Sequence, residues 1–329
     1  MLNGDKSFRG LFVPHVTPFS DSGKIDLASL GRLTEHLVSQ RGVSGLVSCA
    51  RIGEGPVLTA QEKQSVSKIV GEACRKVGRI HIATIAPQST DDAIEMVRDL
   101  ERLPVDAVMI FPPLLFAWGK VGGDLKCRFF EDIARESGMP LVLFQIPVAS
   151  YWYDPETICR IARLERVVAL KEASFNITLF TETLRQLEKE NSRMQVLTGN
   201  DRFVAQSYML GAKGALIGVS NLVTGKWGAM DLAGQAGEFQ RAMALQEELR
   251  DLKEIVFAEP IVEAVSRIKT ILKHLGLIES DGVRRPQLGV SGDEKKQLIE
   301  SYERITAGEP SSTGKTPALK NAGVARMRE

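Results

Sequence analysis

The chain has 329 residues, 43% of them hydrophobic and 25% charged, with a formal net charge of +1. That length buries a substantial core as one large barrel or two ordinary domains. The near-zero charge supplies no field to hold nucleic acid or an anionic membrane surface, so a small-molecule partner is expected. The amino-terminal MLNGDKSFRGLFV has no apolar signal core, and no apolar run approaches the roughly 18 residues of a membrane span. Cys49, Cys74, Cys127 and Cys159 are scattered without CxxC spacing, which suits buried thiols in a reducing compartment. A cytoplasmic protein without a disulfide framework is expected.

From about Leu11 onward, short apolar runs rich in β-branched residues alternate with longer amphipathic ones. Strands are predicted at Leu11 to Val16, Gly45 to Cys49, Ile80 to Ile85, Ala107 to Phe111, Leu141 to Gln145, Val167 to Lys171, Met194 to Leu197 and Gly214 to Ile217. Helical patterns follow each. Thr59-Ala60-Gln61-Glu62 forms a capping box, and Asp154-Pro155 sets a cap before a first-turn proline. Eight units of about 25 to 35 residues favour a closed (β/α)8 TIM barrel. An open doubly wound sheet is the alternative, but the first unit has no GxGxxG turn.

Strand signals stop after Asn221, and helical runs are predicted at Gly237 to Lys253, Pro260 to Leu275 and Asp293 to Ala307. The expected organisation is a barrel over 8–222, an appended C-terminal helical layer over 223–307 and a polar, mobile tail over 308–329. Within that tail, Gly308 and Gly314-Lys315-Thr316 imitate a phosphate loop, but the glycines are one residue too far apart and no strand precedes them. Nucleotide binding is not expected there.

The sequence VVALKEAS runs from Val167 to Ser174 and places a lysine after a buried-looking strand. Alternation puts Val167, Ala169 and Lys171 on one face. If that face is inward, Lys171 sits at the barrel mouth, where apolar walls disfavour its charged form and the neutral amine can attack a carbonyl carbon. The other reading turns Lys171 outward to pair with an acid such as Glu172.

Several segments, in order, resemble the dihydrodipicolinate synthase and N-acetylneuraminate lyase family. VPHVTPFSDSGKID is similar to its first strand and loop, IGEGPVLT to the glycine-glutamate turn after strand two, FPP to the end of strand four, LFQIPVAS to the strand-five segment, LKEAS to the segment with the imine lysine, and LTGND to the strand-seven turn. FAEPIVEAVSRIKTILKHLGL follows the family's C-terminal helix, and the resemblance covers roughly Gly10 to Ala307. It implies a barrel enzyme with Lys171 as nucleophile, no external cofactor and a homotetramer, commonly a dimer of dimers. It also implies that Gly53, Glu54, Pro147, Gly199, Asn200, Asp201 and Gly218 keep their family positions.

The departures fall on the chemistry. The proton-relay tyrosine of the family corresponds to Phe144, and a second tyrosine, lent by a neighbouring subunit, to Leu115. The hydroxyl pair before the glycine-glutamate turn corresponds to Arg51 and Ile52, and the arginine that grips the second substrate in dihydrodipicolinate synthases to Ala149. Ile52, Leu115, Phe144 and Leu216 make an expected pocket less polar than usual, suited to a bulkier 2-keto acid. Arg51 is a candidate carboxylate partner or a surface residue. Tyr151, Tyr153 and His15 are candidate replacements for the missing phenol, each with a plain packing role as its alternative.

No HExxH, clustered histidine or GxSxG pattern is present. The expected function is a Schiff-base lyase or aldolase acting on a pyruvate-type 2-keto acid, not an authentic dihydrodipicolinate synthase. The alternatives are a catalytically impaired metabolite-binding member, or a keto-acid dehydratase or hydratase.

Overall fold

A computed structural model describes residues 7–307. The tail expected over 308–329, with its glycine-lysine stretch, lies outside the described residues. Eight strands, all parallel, close into a barrel in sequence order. They are β1 (Gly10–Pro14), β2 (Val43–Ser48), β3 (Ile80–Ile85), β4 (Ala107–Ile110), β5 (Leu141–Gln145), β6 (Val167–Glu172), β7 (Gln195–Thr198) and β8 (Gly214–Leu216). Closure is made by β1 on β8, with Gly10 opposite Gly214 and Phe12 opposite Leu216. The fold is therefore the (β/α)8 barrel expected.

The helices between strands are α1 (Leu27–Ser39), α2 (Ala60–Lys76), α3 (Thr90–Leu100), α4 (Gly123–Glu136), α5 (Pro155–Ala162), α6 (Ile177–Lys189) and α7 (Val204–Met209). Their starts are written locally. The Thr59 hydroxyl accepts the Glu62 amide while Glu62 accepts the Thr59 amide, and Asp154 accepts the Thr157 amide at 2.8 Å ahead of Pro155. In α3, Ser89 caps the start, Asp91 and Asp92 sit at the positive end of the helix dipole, and Ala93, Val97 and Leu100 form the buried stripe.

Two apolar regions result. One fills the barrel with a residue or two from each strand: Phe12, Val47, Ile82, Met109, Val142 with Phe144, Ala169, Leu197 and Leu216. The other lies between strands and helices. Val167 belongs to the outer region, not to the face of Ala169 and Lys171 as alternation predicts. The reason is a register shift between Leu141 and Val142, where β5 moves from Val167 to Ala169 as partner.

After β8, helix α8 (Thr224–Gln235) packs against β1, β2 and β8 as the eighth helix of the outer ring. The single run expected over Gly237 to Lys253 is two helices, α9 (Phe239–Glu248) and α10 (Arg250–Val256), with the joint at buried Leu249. Helices α11 (Ala264–His274) and α12 (Gly292–Thr306) complete the C-terminal layer, and α12 packs on α10 and α11. A fully buried ion pair ties this layer to the barrel: Lys269 Nζ of α11 lies 3.0 Å from Glu54 Oε2, in the turn after β2. No helix among the described residues is long and apolar enough to cross a membrane.

Candidate active site

Lys171 is the next-to-last residue of β6, between Phe144 of β5 and Leu197 of β7. Its side chain turns inward and is 9% exposed, with Nζ 4.2 Å from the centre of the Phe144 ring. Burial pushes the amine down to about 7, with Asp201 opposing the shift and Arg51 adding to it. Glu172, the acid an outward lysine would have met, is occupied elsewhere: it accepts from Asn200 Nδ2 at 2.7 Å and from the Ser174 amide at 3.2 Å. Asn200 also accepts the Phe175 amide at 2.7 Å, so one side chain joins the turns after β6 and β7.

Gly199 lets the two turns meet. A Cβ there would lie 2.7 Å from Ala173 Cβ and 3.0 Å from Lys171 Cε. The Gly199→Ala variant should therefore fold but displace the amine, slowing any reaction of Lys171 by about 10- to 100-fold, since small misplacements of a reacting group are costly. Trapping rates read beside a far-UV spectrum check this; an unchanged rate contradicts it.

A cavity of about 500 Å³ opens above the lysine at the C-terminal ends of the strands. Phe111, Phe144, Ile146, Phe175, Leu216 and Phe257 supply apolar wall, while the charged groups are Arg51, Lys171, Asp201, Arg202, Lys253 and Glu254. Of the site residues predicted from sequence, Arg51, Ile52, Phe144, Lys171 and Leu216 come together in this cavity. Gly53, Leu115 and Ala149 do not line it. The Gly53 carbonyl accepts the Thr17 hydroxyl at 2.7 Å behind the wall, Leu115 is 58% exposed in the short turn Leu114–Ala117, and Ala149 is exposed in the turn Ala149–Tyr151.

The three candidate replacements for the phenol are also outside the cavity. Tyr153 is buried edge-on to Phe116 and Phe130, and burial holds its phenol far above the usual range. Tyr151 is half-buried on the outer core. His15 is fully buried with Nδ1 2.9 Å from the Val16 carbonyl, and burial lowers it to about 4. What sequence reasoning missed is the contribution of the C-terminal layer: Lys253, Glu254 and Phe257, together with Ile261, close one side of the cavity. Among the described residues no three histidine, cysteine, aspartate or glutamate side chains gather as metal ligands.

Fold and site define a (β/α)8 barrel with an amine buried in a pocket at its C-terminal mouth, where enzymes of this architecture keep their chemistry. The sequence profile of the Dihydrodipicolinate synthetase family matches residues 7–304, and the chain belongs to that family. It is 32% identical to 4-hydroxy-tetrahydrodipicolinate synthase of Moorella thermoacetica over 284 residues, covering 86% of this chain and 93% of that protein. The enzyme of the same name from Thermodesulfovibrio yellowstonii is 30% identical over 296 residues, covering 89% and 97%. Among solved structures, a dihydrodipicolinate synthase of Bacillus anthracis superposes with a TM-score of 0.81 at 27% identity, covering 93% of this chain and all of that one. Membership supports a pyruvate-dependent lyase or aldolase.

Proposed function

We propose that the protein is a divergent Schiff-base lyase or aldolase acting on a 2-keto acid with a bulky apolar substituent, with Lys171 as nucleophile. The observation that carries this is the lysine itself: buried, inward, and held near 7, so that a large share of the amine is neutral near neutral pH. The neutral amine adds to the keto carbon and, with loss of water, gives a protonated imine, an electron sink that lets an adjacent carbon–carbon bond break or an adjacent proton leave. Arg51, at the cavity rim, supplies the cation for the substrate carboxylate. The apolar wall takes the substituent. Position 149 is an alanine outside the cavity, so the grip expected of an arginine at that position is missing.

The reading is tested by incubating the protein with a panel of 2-keto acids, reducing with borohydride and mapping the adduct. The Lys171 peptide should gain the mass of the keto acid less one oxygen. Failure of every acid to label it contradicts the reading. The extent of imine formation at equilibrium should rise through about pH 7 as the ammonium loses its proton. A second reading, binding without turnover, is favoured by Phe144, which places a ring with no hydroxyl beside Lys171; labelling with no product from any aldehyde or dehydration substrate would support it. Product analysis separates cleavage from dehydration.

Self-association belongs to the same reading. Leu114, Leu115, Trp118 and Val148 are 55%, 58%, 77% and 46% exposed on neighbouring turns, an apolar face suited to a second copy of the chain in a dimer or tetramer. Leu115→Asp should reduce the mass found by light scattering to that of a smaller assembly. An unchanged mass contradicts the assignment.

A further inference from the structure

We propose that Asp201 is the proton carrier for the chemistry of Lys171, doing from the turn after β7 what a phenol at position 144 would do from β5. This rests on the reading of Lys171 as imine-forming nucleophile. Asp201 lines the same cavity, is 8% exposed, and its Oδ1 has no hydrogen-bond partner among the described residues. A buried carboxyl oxygen left unpaired is costly, and such a group calls for a functional explanation. Among the described residues the only other acid on the cavity wall, Glu254, is exposed at its rim. The remaining charged groups around Asp201 are cations: Lys171, Arg51 from the turn after β2, Arg202 beside it, and Lys253 from α10.

The titration of the site agrees with this placement. Burial raises Asp201 to about 6 against the pull of Lys171 and Arg51, so its acid and base forms are both within reach near neutrality.

The steps balance. Neutral Lys171 adds to the keto carbon, and the carbonyl electron pair moves to oxygen. Protonated Asp201 gives its proton to that oxygen, forming a hydroxyl, and the carboxylate takes one proton back from the cationic nitrogen. It then returns this proton to the departing hydroxyl. Water leaves, and the nitrogen lone pair forms the protonated imine. The carboxylate that remains can remove a proton from the adjacent carbon, giving the enamine and restoring the acid.

The test uses the intact protein with pyruvate as probe, following exchange of its methyl protons for deuterium by NMR and the rate of borohydride trapping near pH 6. Asp201→Asn should lower both rates by about 10²- to 10⁴-fold, the usual worth of acid–base help, with thermal stability equal to or above that of the parent. Asp201→Glu, which keeps an acid at the site, should retain measurable exchange.

A purely electrostatic role has the opposite sign. Asp201 raises the pKa of Lys171, so its loss would leave more neutral amine near pH 6 and speed trapping. A parent that labels with pyruvate while Asp201→Asn labels and exchanges as fast or faster overturns this assignment and leaves that of Lys171 standing. A parent that labels with no keto acid overturns both.

Discussion

Lys171→Met will abolish the borohydride-trapped adduct and lower turnover by at least about 10⁴-fold, the scale on which removal of a covalent nucleophile is felt. The same change should stabilise the fold. A lysine held near 7 in the folded state but at its ordinary value when unfolded makes the unfolded chain the better proton binder between about pH 7 and 10. Stability of the parent protein therefore rises with pH across that window, and the penalty is largest at pH 7 and below. Methionine fills a similar volume without a charge to desolvate, so at pH 7 the variant should gain about 1–4 kcal/mol, and the rise should flatten. Urea unfolding at several pH values, at one protein concentration, reads this directly. A variant less stable than the parent at pH 7 would mean the amine is well solvated.

The second large effect concerns the buried pair behind the site. Lys269 and Glu54 have fully buried side chains, and Lys269 Nζ also donates to the Gly282 carbonyl at 2.9 Å and lies 4.2 Å from the Phe19 ring centre. Burial pulls Lys269 down to about 8 and pushes Glu54 up, while each partner opposes the other's shift. Removing one member strands the other charge away from water. Glu54→Gln or Lys269→Met should each cost about 3–5 kcal/mol, and the double variant should recover about 2 kcal/mol or more of the summed loss. Glu54 holds the turn that carries Arg51 and Ile52, so the single variants should also weaken keto-acid binding. Strictly additive losses would show that the two side chains do not depend on each other.

Much of the barrel was readable because its strands are buried on both faces and punctuated by caps. Ile80–Ile85 and Leu141–Gln145 were placed to the residue, and the other strands shifted by only a residue or two at their ends. The side of the sheet was less readable. Val167 faces outward because β5 skips a partner, a property of two strands together that neither shows alone. In the C-terminal layer, helical periodicity continued through Leu249 and hid the joint between α9 and α10. That joint matters, since α10 and the residue that follows it deliver Lys253, Glu254 and Phe257 to a cavity whose other walls lie far away in sequence. Lys171 stood out as a lysine ending an apolar strand, but alternation left its inward and outward readings open, and only the resemblance favoured the inward one. Asp201 was legible only as part of a turn, because it comes to line one cavity with Lys171 only once β6 and β7 pair.

For any of this chemistry the Lys171 amine must be free to bond a ketone inside the cavity. The most direct measurement is a crystal structure of the protein soaked with a 2-keto acid that labels it. Continuous density from Nζ of Lys171 to the former keto carbon, with the carboxylate toward Arg51 and Asp201 beside the new bond, is the predicted result. A keto acid lying in the cavity with Nζ unbonded, or density joined to another amine, would contradict it.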